Sequence, residues 1–155
     1  MSTIAAPRRT TAYVRPALYV GLLLTVVATV APLIDLATAD TIGDHVRAAY
    51  PGWSDNLVAK DRNAITIYLV AVGALGIVGW LWSIVGVVRG KRWAKWVSTT
   101  LFVLGATMGL IDLSVGGEAY TTIVPALHGT LGILPTLAGL VATIGLWRRG
   151  SGAKV

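Results

Sequence analysis

The chain has 155 residues, of which 55% are hydrophobic and only 13% charged, against the about 25% charge of an ordinary soluble domain. Mean hydropathy is +0.72, and there is no cysteine, which excludes disulfides, thiolate metal centres, Fe–S clusters and a Cys nucleophile. The net charge of +6 does not point to nucleic acid. The basic residues flank apolar runs, where they act as topology signals and contacts for anionic lipid, and no basic and aromatic groove accompanies them.

Arg8, Arg9 and Arg15 precede the first apolar run, residues 17–34. A helix needs about 20 apolar residues to cross a hydrocarbon core of about 30 Å, and this run meets that within normal tolerance. The Arg pair together with Ala37-Thr38-Ala39 also has the form of a signal peptide with an A-x-A cleavage site. The apolar run is longer than such a signal requires, so a retained helix is the expectation.

Residues 35–63 are the one sizeable connection. They hold Asp35, Asp40, Asp44, Asp55 and Asp61 with Arg47, Lys60 and Arg62. Asp40 or Thr41 is suited to cap a short helix running to Ala49, and Tyr50-Pro51-Gly52 to end it. Ser54 is suited to cap the lead-in to the next span. Val46, Tyr50, Trp53, Leu57 and Val58 supply apolar surface, so a small structured cap is expected rather than a disordered loop.

The second run, residues 64–88, carries Gly73, Gly76 and Gly79, then Ser83 and Gly86. Small residues let helices approach closely in lipid. Residues 89–96 follow, with Arg89, Lys91, Arg92 and Lys95. The third run, residues 97–115, contains the pair Gly105 and Gly109, and Asp112. A connection with Glu118 leads to the fourth run, residues 121–147, with Pro125, His128 and Pro135. Arg148, Arg149 and Lys154 close the chain. Trp80, Trp82, Trp93, Trp96 and Trp147 gather near one predicted boundary, as membrane anchors at headgroup level.

Backbone amides cannot go unpaired in lipid, so all four runs should be helices. The reading is an all-α integral membrane protein, a four-helix bundle forming one membrane domain. Ten of the 13 basic residues sit at the two termini and in 89–96, with no acidic residue among them. The positive-inside rule then sets both termini and 89–96 in the cytoplasm and 35–63 outside. The expected location is the cell membrane.

Shifted by 77 positions, Arg15–Leu36 falls on Arg92–Leu113 with nine of 22 residues identical, including Leu33-Ile34-Asp35-Leu36 on Leu110-Ile111-Asp112-Leu113. An even number of spans per repeat preserves orientation, so the halves would be parallel 2+2 repeats about an axis along the membrane normal.

Asp35, Asp112 and His128 are the candidate polar site. An ionisable group inside a span is costly and marks a functional hypothesis by default; two carboxylates and an imidazole suit a divalent metal or a proton relay. Asp44, His45 and Glu118 are possible contributors from the loops. No metal, nucleotide or catalytic motif is present, and no cofactor is specified. The leading expectation is a non-catalytic subunit that binds the bilayer and either a second copy or another membrane protein. The alternatives are a small oligomeric transporter or channel with an outward polar site, and a membrane enzyme acting on a lipid or quinone with a lateral groove beside His128.

Overall fold

The computed structural model describes residues 12–151. Arg8, Arg9 and Lys154 of the basic flanks lie outside them. The fold is all-helical: α1 (Val14–Ala37), α2 (Thr41–Ala49), α3 (Asp55–Val88), α4 (Ala94–Ser114) and α5 (Ala126–Ser151). Helices α1, α3, α4 and α5 are long and apolar enough to cross a membrane. They are apolar on every side, so many large side chains on their outer faces are exposed, among them Leu23, Ile67, Leu110 and Leu137. That pattern fits a helix surrounded by hydrocarbon.

Two helix boundaries differ from the hydropathy pattern. Helix α3 has 34 residues, about 51 Å at 1.5 Å per residue. Its first part, residues 55–63, stands beyond the apolar run. There it meets α2 to form the cap, whose core is Ile42, Val46, Val58 and Ile65, with Tyr50, Trp53, Leu69 and Tyr120 packed against it. Helix α5 begins only at Ala126. Before it, Gly117 and Tyr120 exchange backbone hydrogen bonds of 3.2 and 2.8 Å in a tight turn. A Cβ on neighbouring Gly116 would lie 2.6 Å from the carbonyl oxygen of Thr121, so only glycine closes this turn.

Round the bundle the order is α1, α3, α4, α5. Helix α1 packs extensively on α3 and α5, α4 packs extensively on α5, and the α3–α4 seam is much sparser. Glycines set the close seams. Gly21 receives the ring of Trp80, Gly73 receives Thr29, and Gly109 receives Ile133. Trp80 therefore turns into the bundle, where its Nε1 donates to Thr25 Oγ1 at 2.7 Å, instead of standing at the boundary with the other tryptophans. At the end opposite the cap, Val14, Leu18, Ile84, Val87, Ala94, Ala142 and Leu146 form the second buried cluster.

Candidate functional site

The thin α3–α4 seam leaves a cavity of about 380 Å³ among the four long helices. Its walls are mainly apolar, with Leu69, Val72, Leu101, Phe102 and Met108 among them. The space exists partly because Gly76, Gly105, Gly132 and Gly139 contribute no side chain to it. At Gly105 a Cβ would meet only Thr136 Cγ2, at 3.7 Å. Leu75 and Leu104 also line the cavity, one from each side of the seam. They are 72% and 57% exposed, so the cavity reaches the outer surface of the bundle along this seam.

The cap end of the cavity is polar. Asp112, on the last turn of α4, is 7% exposed. Its Oδ1 accepts the hydroxyl of Tyr68 from α3 at 2.7 Å. On the α5 side it faces Gly132, where a Cβ would lie 3.8 Å from Asp112 Oδ2. His128 stands one helical turn before Gly132, lines the same cavity and is 4% exposed. Its Nδ1 is buried without a hydrogen-bond partner, an unusual state for a buried polar atom. The other end carries Ser83 and Ser98, both buried. Ser98 Oγ is likewise without a partner. Along α4 the lining runs from Ser98 to Asp112, about 21 Å of helix.

Asp35 does not line this cavity. It is close enough to act electrostatically on His128, but its carboxylate is occupied. Oδ1 accepts the N–H and the hydroxyl of Thr41 at 3.1 and 2.7 Å, and Oδ2 accepts the N–H of Ile42 at 3.1 Å. It thereby closes the N-terminus of α2, which satisfies amides that have no partner within the helix. Asp40 holds the N-cap position yet makes no capping bond. Its side chain instead takes Arg62 at 3.1 Å, with Arg47 3.9 Å away. Ser54 likewise sits at the N-cap of α3 without a side-chain bond.

The loop residues meet in the cap and not in the cavity. Asp44 pairs with Arg47 at 3.1 Å. His45 bonds the carbonyl of Thr122 through Nε2 at 2.8 Å and stacks on Tyr120. Glu118 accepts the Tyr50 hydroxyl at 2.9 Å, and Asp61 accepts that of Tyr120. Burial and the bond to Asp61 push the Tyr120 phenol above its ordinary pKa. Burial and Glu118 push Tyr50 up in the same way. Among the described residues, no three His, Asp or Glu side chains are grouped to hold a metal ion.

At the opposite end, Trp82, Trp93, Trp96 and Trp147 are exposed. Trp96 and Trp147 meet edge to face, with Lys95 Nζ 4.7 Å from the Trp147 ring centre. Gly79 lies against Leu101 across the α3–α4 seam, so it too faces a neighbour inside the bundle.

Sequence reasoning missed Tyr68, Ser83's place on the cavity and Ser98. All three lie in or beside apolar runs, and a hydroxyl there carries no signal of what it faces. Comparison of the chain with protein-family models, curated proteins and solved structures gives no match.

Proposed function

We propose that this chain is a multi-pass membrane protein that binds one lipophilic small molecule in the cavity, admitted sideways from the bilayer between α3 and α4. The observation that carries the reading is a largely apolar space of about 380 Å³ whose two ionisable groups, Asp112 and His128, both line its cap end. Ligand sites commonly have this form, with mainly apolar walls and a few convergent polar groups. Gly73, Gly79 and Gly109 favour it over a subunit that docks a partner through an exposed small-residue face, because they pack against neighbours within the bundle.

The charge pattern supports an orientation with both termini and residues 89–96 in the cytoplasm and the cap outside, in the cell membrane. Asp112 and His128 then lie near the outer boundary. The parallel-repeat reading is supported by the ends of α1 and α4, which fall at Ala37 and Ser114, the same 77-residue separation as the sequence match. In such a repeat the α1–α5 and α3–α4 seams are equivalents. The first is closed and the second is open, and the cavity is the result.

The test is native mass spectrometry of the protein released from lipid nanodiscs, beside the variant Gly105→Leu, whose side chain fills the cavity. A bound lipophile retained by the parent chain and lost from the folded variant supports the reading. Equal retention by both, or none by the parent, overturns it.

A further inference from the structure

The polar end of the cavity selects among lipophiles by charge. Asp112 is the one carboxylate among the lining residues, and no Lys or Arg joins it. The ion pairs among the described residues all lie in the cap, between Asp40 or Asp44 and Arg47 or Arg62. Among the described residues, Asp112 receives one hydrogen bond, at Oδ1 from Tyr68. An ionised carboxylate accepts at both oxygens, and one enclosed by apolar walls is costly until a cation or further donors complete it. His128, one turn from the glycine that Asp112 Oδ2 faces, adds a buried nitrogen without a partner. The carboxylate of Asp112 therefore lacks a donor head of positive charge.

The volume narrows the choice further. A volume of about 380 Å³ lies at the small end of ligand pockets, which run from about 300 to 1,000 Å³. That suits one chain with a small head, not a whole phospholipid. We propose that the ligand is a cationic single-chain amphiphile. Its ammonium head donates to Asp112, and its tail follows α4 and α5 toward Ser98. An ammonium carries three donors and no acceptor, which suits a carboxylate whose Oδ2 faces Gly132 on the cavity wall without a donor. An anionic head of phosphate or carboxylate meets Asp112 with no Lys or Arg to offset the repulsion. A neutral alcohol donates one hydrogen bond to the carboxylate but brings no opposite charge to it.

This inference rests on the cavity being a ligand site, and the experiment separates the two. Radiolabelled dodecylamine, dodecanol and dodecanoate share a tail and differ only in head charge. Equilibrium binding of each is measured on the protein in phosphatidylcholine nanodiscs, with empty discs subtracted. The variants are Asp112→Asn, whose amide oxygen still accepts from Tyr68, and Gly105→Leu. The expected result is dodecylamine bound about tenfold tighter than dodecanol, with dodecanoate weakest. Asp112→Asn abolishes that preference while still binding dodecanol, and Gly105→Leu abolishes binding of all three. If dodecylamine and dodecanol bind the parent chain alike, or Asp112→Asn keeps the preference, the charge selection is wrong and the cavity reading survives. If the parent chain binds none, or Gly105→Leu binds all three unchanged, the cavity reading falls and this inference with it.

Discussion

Asp35 and Asp112 occupy matching places near the ends of α1 and α4 and are almost equally buried, 8% and 7% exposed, but their carboxylates turn to different partners. Asp35 reaches forward to the first amides of α2. Asp112 has no helix following it at once, because the tight turn at residues 117–120 takes that place, and it reaches sideways to Tyr68. The long connection after α1 thus converts one aspartate into a structural cap. Its short counterpart after α4 leaves the other with an oxygen to spare at the mouth of a cavity.

Replacing Asp35 by Ala should loosen the cap without touching the cavity. The amides of Thr41 and Ile42 lose their acceptor, a loss of about 2 kcal/mol by the usual worth of a helix cap and of buried donors left unpaired. Thermal unfolding should show the loss, and hydrogen exchange should rise over residues 41–49. Unchanged exchange there would mean that Asp35 does not hold α2 in place.

Two glycines should respond in opposite ways to added side chain. At Gly73 a Cβ runs into Thr29 across the tight α1–α3 seam, so Gly73→Val should destabilise by about 1–3 kcal/mol through overpacking. At Gly105 the new atom enters the cavity, so Gly105→Ala should leave stability unchanged or slightly raised. Unfolding of both variants in mild detergent compares them directly. Equal destabilisation would contradict the cavity's position.

The tyrosines of the cap make its stability depend on high pH. Burial first, and then donation to Asp61, favours the protonated phenol of Tyr120 in the folded state. A raised folded pKa contributes stability that is complete below the unfolded value, about 10, and is lost as pH rises beyond it. The melting temperature of the parent chain should therefore fall above about pH 10 more steeply than that of Tyr120→Phe. At neutral pH the variant should be weaker by about 1 kcal/mol, the worth of one hydrogen bond. Parallel pH profiles for the two proteins would refute the assignment.

The orientation is open to cysteine labelling, since the chain has no cysteine of its own. Gly52 is exposed, and a Cβ there meets nothing within 4 Å; Lys91, on the opposite side, is also exposed. A membrane-impermeant maleimide should label Gly52→Cys in intact cells and Lys91→Cys only after lysis. The reverse pattern would invert the topology.

Much of the architecture was legible from hydropathy. The run 64–88 ends where α3 ends, and Tyr50-Pro51-Gly52 stops α2 where the local chemistry of Pro and Gly requires. Ser54 marked the start of α3, although the apolar run begins only at residue 64, because residues 55–63 are polar on the outside and join the cap through single apolar contacts such as Val58. The start of α5 was hidden. Residues 121–125 are apolar enough to extend the run but belong to the turn that Gly116 and Gly117 build. At the candidate site, Asp112 and His128 stood out as ionisable groups in apolar runs. Either Asp35 or Asp112 could have capped a neighbouring helix; that Asp35 does so, through Thr41 and Ile42, depends on how sharply the chain bends between α1 and α2.

The sequence by itself determined four helices long and apolar enough to cross a membrane, their order and the cap between the first two. Those properties are local, set by the apolar content of about 20 consecutive residues and by backbone amides bonded within one helix. Only the tertiary structure decided which polar groups share a space and that the α3–α4 seam stays open. A helix apolar on all sides carries no stripe to distinguish its inner face from its outer one. That choice is made by packing, by Trp80 seated on Gly21, Thr29 on Gly73 and Ile133 on Gly109, and it is these contacts that turn Asp112 and His128 toward one cavity.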